Sequence, residues 1–121
     1  MFIMISDKDC IFCKIARKEI PSEFIYENDN FFAVLDIHPK TEGHTLIISK
    51  KHFINILDMP VSMGEELIDA IKNVAEIKLK SEKASGFNIA QNNLSDAGQV
   101  VMHFHMHLLP RKKSDGFSWR L

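Results

Sequence analysis

Three histidines occupy alternate positions near the end of the 121-residue sequence: His103, His105 and His107. Successive side chains of a β-strand point to opposite faces, so a strand here would place all three imidazoles on one face. The residues between them, Phe104 and Met106, are apolar and would face a core. An α-helix would spread the rings around its axis, so the alternation favours a strand. Because imidazole can be a nucleophile, an acid–base group or a metal ligand near neutral pH, the spacing predicts a chemically active strand face.

The segment before these histidines, residues 92–99, is rich in small and amide side chains. Gly98 allows a positive φ or a close approach of the backbone. Backbone N–H groups and the amide of Asn92, lying beside a row of imidazoles, would form an anion-binding cradle. An ordinary hairpin loop is the alternative interpretation of the same composition.

The length and composition limit the class of protein. The size indicates one domain over residues 1–121, and 45% apolar with 26% charged residues is typical of a globular protein. A net charge of −1 gives no electrostatic basis for general nucleic-acid binding, although a local anion pocket remains compatible with it. No apolar stretch could span a membrane, and the N-terminal apolar run is too short for a signal peptide. We therefore expect a cytoplasmic protein with reduced cysteines.

The elements that would position the histidines can be read from periodicity and turn residues. The sequence predicts a short helix over 10–18, a long helix over 62–84, and strands over 23–27, 31–37, 44–49, 87–91 and 100–109. A capping-box pattern, Ser62 to Glu65, would begin the long helix. Short connections among the first three strands favour an α+β fold: a five-stranded antiparallel sheet with both helices on one face. The long helix is apolar over more than one stripe, which indicates contacts beyond the sheet.

Several segments together resemble the histidine triad (HIT) family, and the resemblance extends over roughly residues 10–110. The segments are Ile11–Ile15 with Glu19–Pro21, Leu35–Pro39, Gly43–Ile48, Lys50–His52, and Gly98–Gln99 followed by His103–Leu109. The short chain and N-terminal helix are most similar to the Hint branch, which are purine nucleoside phosphoramidases. The resemblance implies the HIT-like fold, a homodimer, and a purine nucleotide substrate, with no cofactor required for catalysis.

The resemblance also implies roles for individual residues. His105 would be the nucleophile that attacks the α-phosphorus and forms a nucleotidyl-histidine, from which water releases AMP or GMP. His107 and His44 would contact phosphoryl oxygens, and His103 would complete the catalytic set. The substrate-binding residues would be Asn92 and Gln99 at the phosphate, Asp36 at the ribose hydroxyls, and Phe12, Ile15, Ile20, Leu35, Ile37 and Leu46 around the base. Imidazole chemistry agrees with these roles, because a neutral ring attacks phosphorus readily and the resulting bond is labile.

One residue departs from the family pattern. Val100 stands where many relatives have Ser or Thr near the phosphate or leaving group, and valine supplies no hydroxyl. The sequence leaves three other functions open: dinucleoside polyphosphate hydrolysis, a non-catalytic nucleotide-binding or scaffolding dimer, and a zinc module whose histidines serve only metal.

Cys10 and Cys13 form a Cys-x-x-Cys motif at the start of the first predicted helix. A tetrahedral zinc site needs two more ligands, and the sequence offers His52 and His103. These four residues match the pattern of several bacterial relatives, and closed coordination would make the zinc structural. A redox pair, which usually lies in a βαβ context, and two free thiols are the alternatives.

Overall fold

The computed structural model describes residues 8–119 and contains two helices and five strands in that range. The helices are α1, Ile11–Ala16, and α2, Gly64–Ser81. The strands are β1, Tyr26–Glu27; β2, Phe31–Leu35; β3, Thr45–Ser49; β4, Gly86–Ala90; and β5, His105–Arg111. They form one sheet in the order β1-β2-β3-β5-β4, and every neighbouring pair is antiparallel. The predicted α+β fold is therefore confirmed.

Apolar layers cover both faces of this sheet. One layer packs α2 against side chains such as Phe31, Ala33 and Ile47. The other packs α1 against their strand neighbours, including Phe32 and Ile48. The prediction that both helices share one face is wrong, because β3 is buried at every position and β2 at all but its last. A strand buried on both sides needs a covering element on each.

The long helix is shorter than its apolar pattern predicts, and a 3₁₀ turn stands where a capping box is predicted. A 3₁₀ turn over Val61–Met63 follows Pro60 and leads directly into α2. Within residues 8–119 no side-chain hydrogen bond caps this helix, so the predicted capping box does not form. The helix has acidic residues in its first turn and lysines in its last, which complement the helix dipole. Within the described part of the chain, no helix has the length and hydropathy to cross a membrane.

The last strand begins five residues later than predicted, at His105. The reason is the length of its neighbour: pairing of β3 with β5 ends at Ile48 opposite His105. His103 therefore precedes the strand and lies outside the β-ladder. Phe104 is fully buried in the α2 layer. The ring of Phe12, on the α1 side, meets both His103 and His105 edge to face, so these two histidines lie on one side of the sheet.

Candidate active site and metal centre

His105 stands at the first position of β5, and one hydrogen bond fixes the orientation of its ring. Its Nδ1 lies 2.7 Å from the backbone oxygen of His103. A carbonyl only accepts, so Nδ1 carries the proton and Nε2 keeps its lone pair. Burial lowers the pKa of His105, and the His103 carbonyl opposes that shift. The ring is therefore neutral at pH 7, with an unprotonated nitrogen that can attack an electrophile.

His44 and His107 form a second, directional network. The backbone N–H of Lys40 donates to Nδ1 of His44 at 3.1 Å, so the proton of this ring is on Nε2. That Nε2–H lies 2.9 Å from Nδ1 of His107 and 3.5 Å from a carboxylate oxygen of Asp36. His107 therefore accepts at Nδ1 and carries its own proton on Nε2, where it can donate to a bound oxygen. Sequence reasoning did not identify Lys40, because a backbone donor leaves no signal in side-chain type.

The protonation state of this network follows from its surroundings. Burial lowers the pKa of His107 to about 4, and repulsion from the His105 and His44 rings adds to that shift. Burial also lowers the pKa of His44, although Asp36 opposes it. Both rings are therefore neutral at pH 7, so the 3.5 Å approach of the Asp36 carboxyl to Nε2 of His44 is not an ion pair.

The predicted substrate-binding residues surround one cavity of about 1230 Å³. Its lining includes His44, His105 and His107 with the predicted base, ribose and phosphate residues, which are Phe12, Ile15, Ile20, Leu35, Asp36, Ile37, Leu46, Asn92 and Gln99. Phe12, Ile15 and Leu46 also belong to the buried α1 layer, whereas Ile37 is 86% exposed. His103 is absent from this lining. Val100 lines the cavity and is 87% exposed, which excludes a packing role in the core of this chain.

Gln99 and Asn92 differ in how their amides are used. Gln99 is buried: its Oε1 accepts from the backbone N–H of Leu94 at 2.8 Å, and its Nε2 donates to the carbonyls of Ile54 and Val101. The donors and the acceptor of this side chain therefore bond within the protein, and Gln99 holds the loop in place. Asn92 is exposed, and its Nδ2 makes only a long bond, 3.4 Å, to the carbonyl of Gly98. Its amide is therefore the better placed of the two to meet a phosphate.

The two cysteines converge with two histidines behind this cavity. Nδ1 of His103 lies 3.2 Å from Sγ of Cys10, 3.4 Å from Sγ of Cys13 and 3.2 Å from Nδ1 of His52. Sγ of Cys13 lies 3.3 Å from Nδ1 of His52. Zinc bonded to sulfur and nitrogen at its usual lengths gives donor–donor separations of about 3.3–3.8 Å, which these distances approach.

The chemistry of the donors also fits a zinc ion. Cys10, Cys13 and His103 are buried, and His52 is half-buried. Nε2 of His103 lies 2.7 Å from the carbonyl of Ser49, so its proton is there. Nδ1, which faces both thiols, therefore carries the lone pair that can bind metal. Such a carbonyl partner is the usual support of a zinc-binding histidine. The four residues could therefore hold a tetrahedral zinc ion with no open position.

Comparison with known proteins agrees with this geometry. Residues 17–114 match the model of the HIT domain. The chain is 43% identical over 106 residues to adenosine 5'-monophosphoramidase HNT1 of Saccharomyces cerevisiae, covering 88% of this chain and 65% of that protein. The crystal structure of SMU.412c from Streptococcus mutans UA159 superposes with a TM-score of 0.89 at 45% identity, covering 96% of this chain and 74% of that one.

A zinc-bound histidine triad family protein from Mycobacterium smegmatis superposes with a TM-score of 0.86 at 36% identity, covering 95% of this chain and 84% of that one. The family match includes the histidine strand, most of the cavity lining, and two of the four residues of the Cys–His cluster, His52 and His103. The structural match extends over nearly the whole chain. The chain belongs to the histidine triad (HIT) family.

Proposed function

We propose that the protein is a nucleotide hydrolase that cleaves purine nucleoside 5′-phosphoramidates, or related nucleotidyl conjugates, to AMP or GMP. The observation that carries this proposal is the hydrogen bond from His105 to the His103 carbonyl, which leaves a neutral nitrogen lone pair at a nucleotide-sized cavity. The activity named for the yeast relative supports the same reaction.

The reaction proceeds in two displacements at phosphorus. Nε2 of His105 attacks the α-phosphorus, the bond to the leaving group breaks, and the amine departs with a proton from solvent. Water then attacks the nucleotidyl-histidine, the P–N bond breaks, and the lone pair returns to His105. The net change adds the hydroxyl of one water to phosphorus and its proton to the amine. Dividing the reaction in this way replaces one difficult step with two easier ones.

Two neighbouring groups assist these steps. The Nε2–H of His107 donates to a phosphoryl oxygen, where negative charge increases in the transition state. Because the hydrogen bond from His44 fixes the orientation of the His107 ring beforehand, little reorganisation is needed during the reaction. Asp36 already accepts the backbone N–H of His38 at 2.8 Å, and its remaining lone pairs can accept ribose hydroxyls.

We further propose that Cys10, Cys13, His52 and His103 hold a structural zinc ion. Zinc bound there supplies folding energy by joining α1 to the segments that flank β3 and β5. His103 would contribute its ring to the metal and its carbonyl to His105, so the metal site would fix the position of the carbonyl that orients the nucleophile. Reduced thiols, which zinc binding requires, are consistent with a cytoplasmic location.

The proposed assembly is a homodimer through α2 and β4. β4 is an edge strand, and its Phe87 and Ile89 are 42% and 44% exposed. Ile68 on α2 is 56% exposed. Exposed apolar groups beside an unpaired strand edge are typical of an interface, and a second copy of the chain would cover both.

A trapping experiment tests the proposed reaction. Rapid quenching during turnover of adenosine 5′-phosphoramidate should reveal a protein-bound, acid-labile AMP that maps to His105. His105→Ala should abolish the adduct and reduce the rate by several orders of magnitude while the fold and AMP binding persist. In His105→Gly, added imidazole should restore part of the rate. Near-normal turnover by His105→Ala, with no adduct in the wild type, would exclude this mechanism.

A further inference from the structure

Gly43 lies just before His44, and the side chain of Glu82, the C-cap residue of α2, occupies the space above it. The φ angle of Gly43 is +83°, a conformation that residues with a Cβ rarely adopt. A Cβ at this position would lie 2.5 Å from Cγ and 2.6 Å from Cδ of Glu82. The backbone at Gly43 and the side chain of Glu82 are therefore in direct contact, and each limits where the other can be.

A partly buried ion pair holds Glu82 in this position. Nζ of Lys78, one turn earlier, lies 3.2 Å from Oε2 of Glu82. Lys78 is only 5% exposed, which is rare for a lysine and indicates that the end of α2 is packed against the rest of the protein. Ser81 also donates to the same carboxylate oxygen, at 3.3 Å. The conformation of Glu82 is thus fixed by two donors, one of them charged and buried.

The loop under Glu82 is the one that sets the proton position on His44. Within residues 40–44, the N–H of His44 donates to the carbonyl of Thr41 at 3.1 Å, and the N–H of Lys40 donates to Nδ1 of the His44 ring. Thr41 is itself buried. A shift of the backbone at Gly43 would therefore move both ends of the bond that keeps the His44 proton on Nε2.

We infer that Glu82 is a positioning residue: packed on Gly43 and held by Lys78, it fixes the loop that places His44 against His107. This role extends the proposed function, because His44 acts there through His107. Glu82 makes no contact with substrate in this scheme, and its influence passes through the Gly43 backbone.

A double-mutant cycle between Gly43→Ala and Glu82→Ala tests the contact. Gly43→Ala should lower kcat/KM for adenosine 5′-phosphoramidate by about ten- to a hundredfold, since small misplacements of catalytic groups have effects of that size. Glu82→Ala should cause a smaller loss and should make the added Gly43→Ala change at least threefold less harmful, because it removes the overlap. Glu82→Gln, which keeps the shape and still accepts from Lys78, should remain close to wild type.

The control is Glu76→Ala, an exposed glutamate on the same helix, which should behave as wild type. Glu82→Ala alone leaves the charge of Lys78 unpaired and could prevent folding. In that case the cycle is measured in a Lys78→Met background, where this charge is absent. Purely additive effects, or a Glu82→Gln variant as impaired as Glu82→Ala, would overturn the inference.

A spectroscopic measurement separates positioning from general destabilisation. The ¹⁵N chemical shifts of the His44 and His107 rings report which nitrogen is protonated, whatever reaction the protein catalyses. Gly43→Ala should move the His44 signals away from the Nε2–H tautomer, and Glu82→Gln should not. Unchanged His44 shifts in folded Gly43→Ala would overturn the inference and leave the proposed hydrolase function untouched.

Discussion

Replacing His107 with glutamine should make the stability of the protein less sensitive to acid. The pKa of His107 is held at about 4 in the folded protein, below the value of 6.5 for an unperturbed histidine. The unfolded chain therefore binds a proton at this position first as the pH falls. This contribution to stability is fully present above pH 6.5 and is lost as the pH falls towards 4. Glutamine stays neutral throughout, and its amide can accept from His44 and donate to a phosphate, as proposed for the imidazole.

The size of the effect follows from the shift. A displacement from 6.5 to about 4 corresponds to roughly 3 kcal/mol, at about 1.4 kcal/mol per pKa unit. That figure is an upper limit, because the ring is only half-buried and water screens part of the repulsion. We expect the free energy of unfolding of the wild type to fall by about 1–3 kcal/mol more than that of the variant between about pH 7 and pH 4.

The assay is urea unfolding of both proteins across this pH range, at one protein concentration and one zinc content. Taking the difference between wild type and variant at each pH cancels the protonation of groups that do not interact with His107, and leaves His107 with its coupled neighbours His105 and His44. Equal concentrations are essential because the stability of the proposed dimer would depend on them. A difference in unfolding free energy that stays constant from pH 7 to pH 4 would refute the view that burial and its neighbours keep His107 neutral.

Three further predictions concern other parts of the molecule. Val100→Ser should raise the rate for substrates with amine leaving groups about tenfold, which corresponds to one transition-state hydrogen bond of ~1.4 kcal/mol. It should change the rate for mixed anhydrides of AMP little, and parallel assays that show equal effects on both substrate types would contradict this prediction. The wild type should carry close to one zinc ion per chain when freshly purified, and Cys13→Ser should lower both this zinc content and the melting temperature. Metal analysis that finds no zinc in the freshly purified wild type would contradict this prediction. Ile89→Asp should yield a folded monomer at micromolar concentration in light scattering, whereas a persisting dimer would place the interface elsewhere.

Residue type and spacing predicted the residues of the candidate site more completely than the layers and strand ends of the sheet that carries it. The alternation of histidines, and the two cysteines with His52 and His103, are visible in sequence because few residue types perform such chemistry. The unbroken apolar run Phe31–Leu35 indicates a strand buried on both faces, and therefore a sheet covered on both sides. The prediction instead relied on the hairpin connections, which favour a sheet with both helices on one face. The start of β5 at His105 depends on where the neighbouring strand β3 ends, and the residues of β5 alone do not contain that information. The sequence therefore predicts a start five residues too early.

Other features were beyond any single-sequence argument. The amide of Gln99 looks like a phosphate ligand until its partners are known, and those partners include the carbonyl of Ile54, 45 residues earlier in the chain. The contact between Gly43 and Glu82 likewise joins positions far apart in sequence. Such pairs depend on tertiary packing, which local pattern does not encode.

His103 would serve two proposed centres, the zinc site and the nucleophile, through two different groups, and this division makes the two centres separable in evolution. Its ring faces the cysteines, while its backbone oxygen orients His105. Any residue at position 103 would supply the same carbonyl, provided that the chain keeps its path. A lineage could therefore replace the proposed metal ligands with an apolar core while the carbonyl at position 103 still orients His105. Metal binding and catalysis could then change independently on one scaffold.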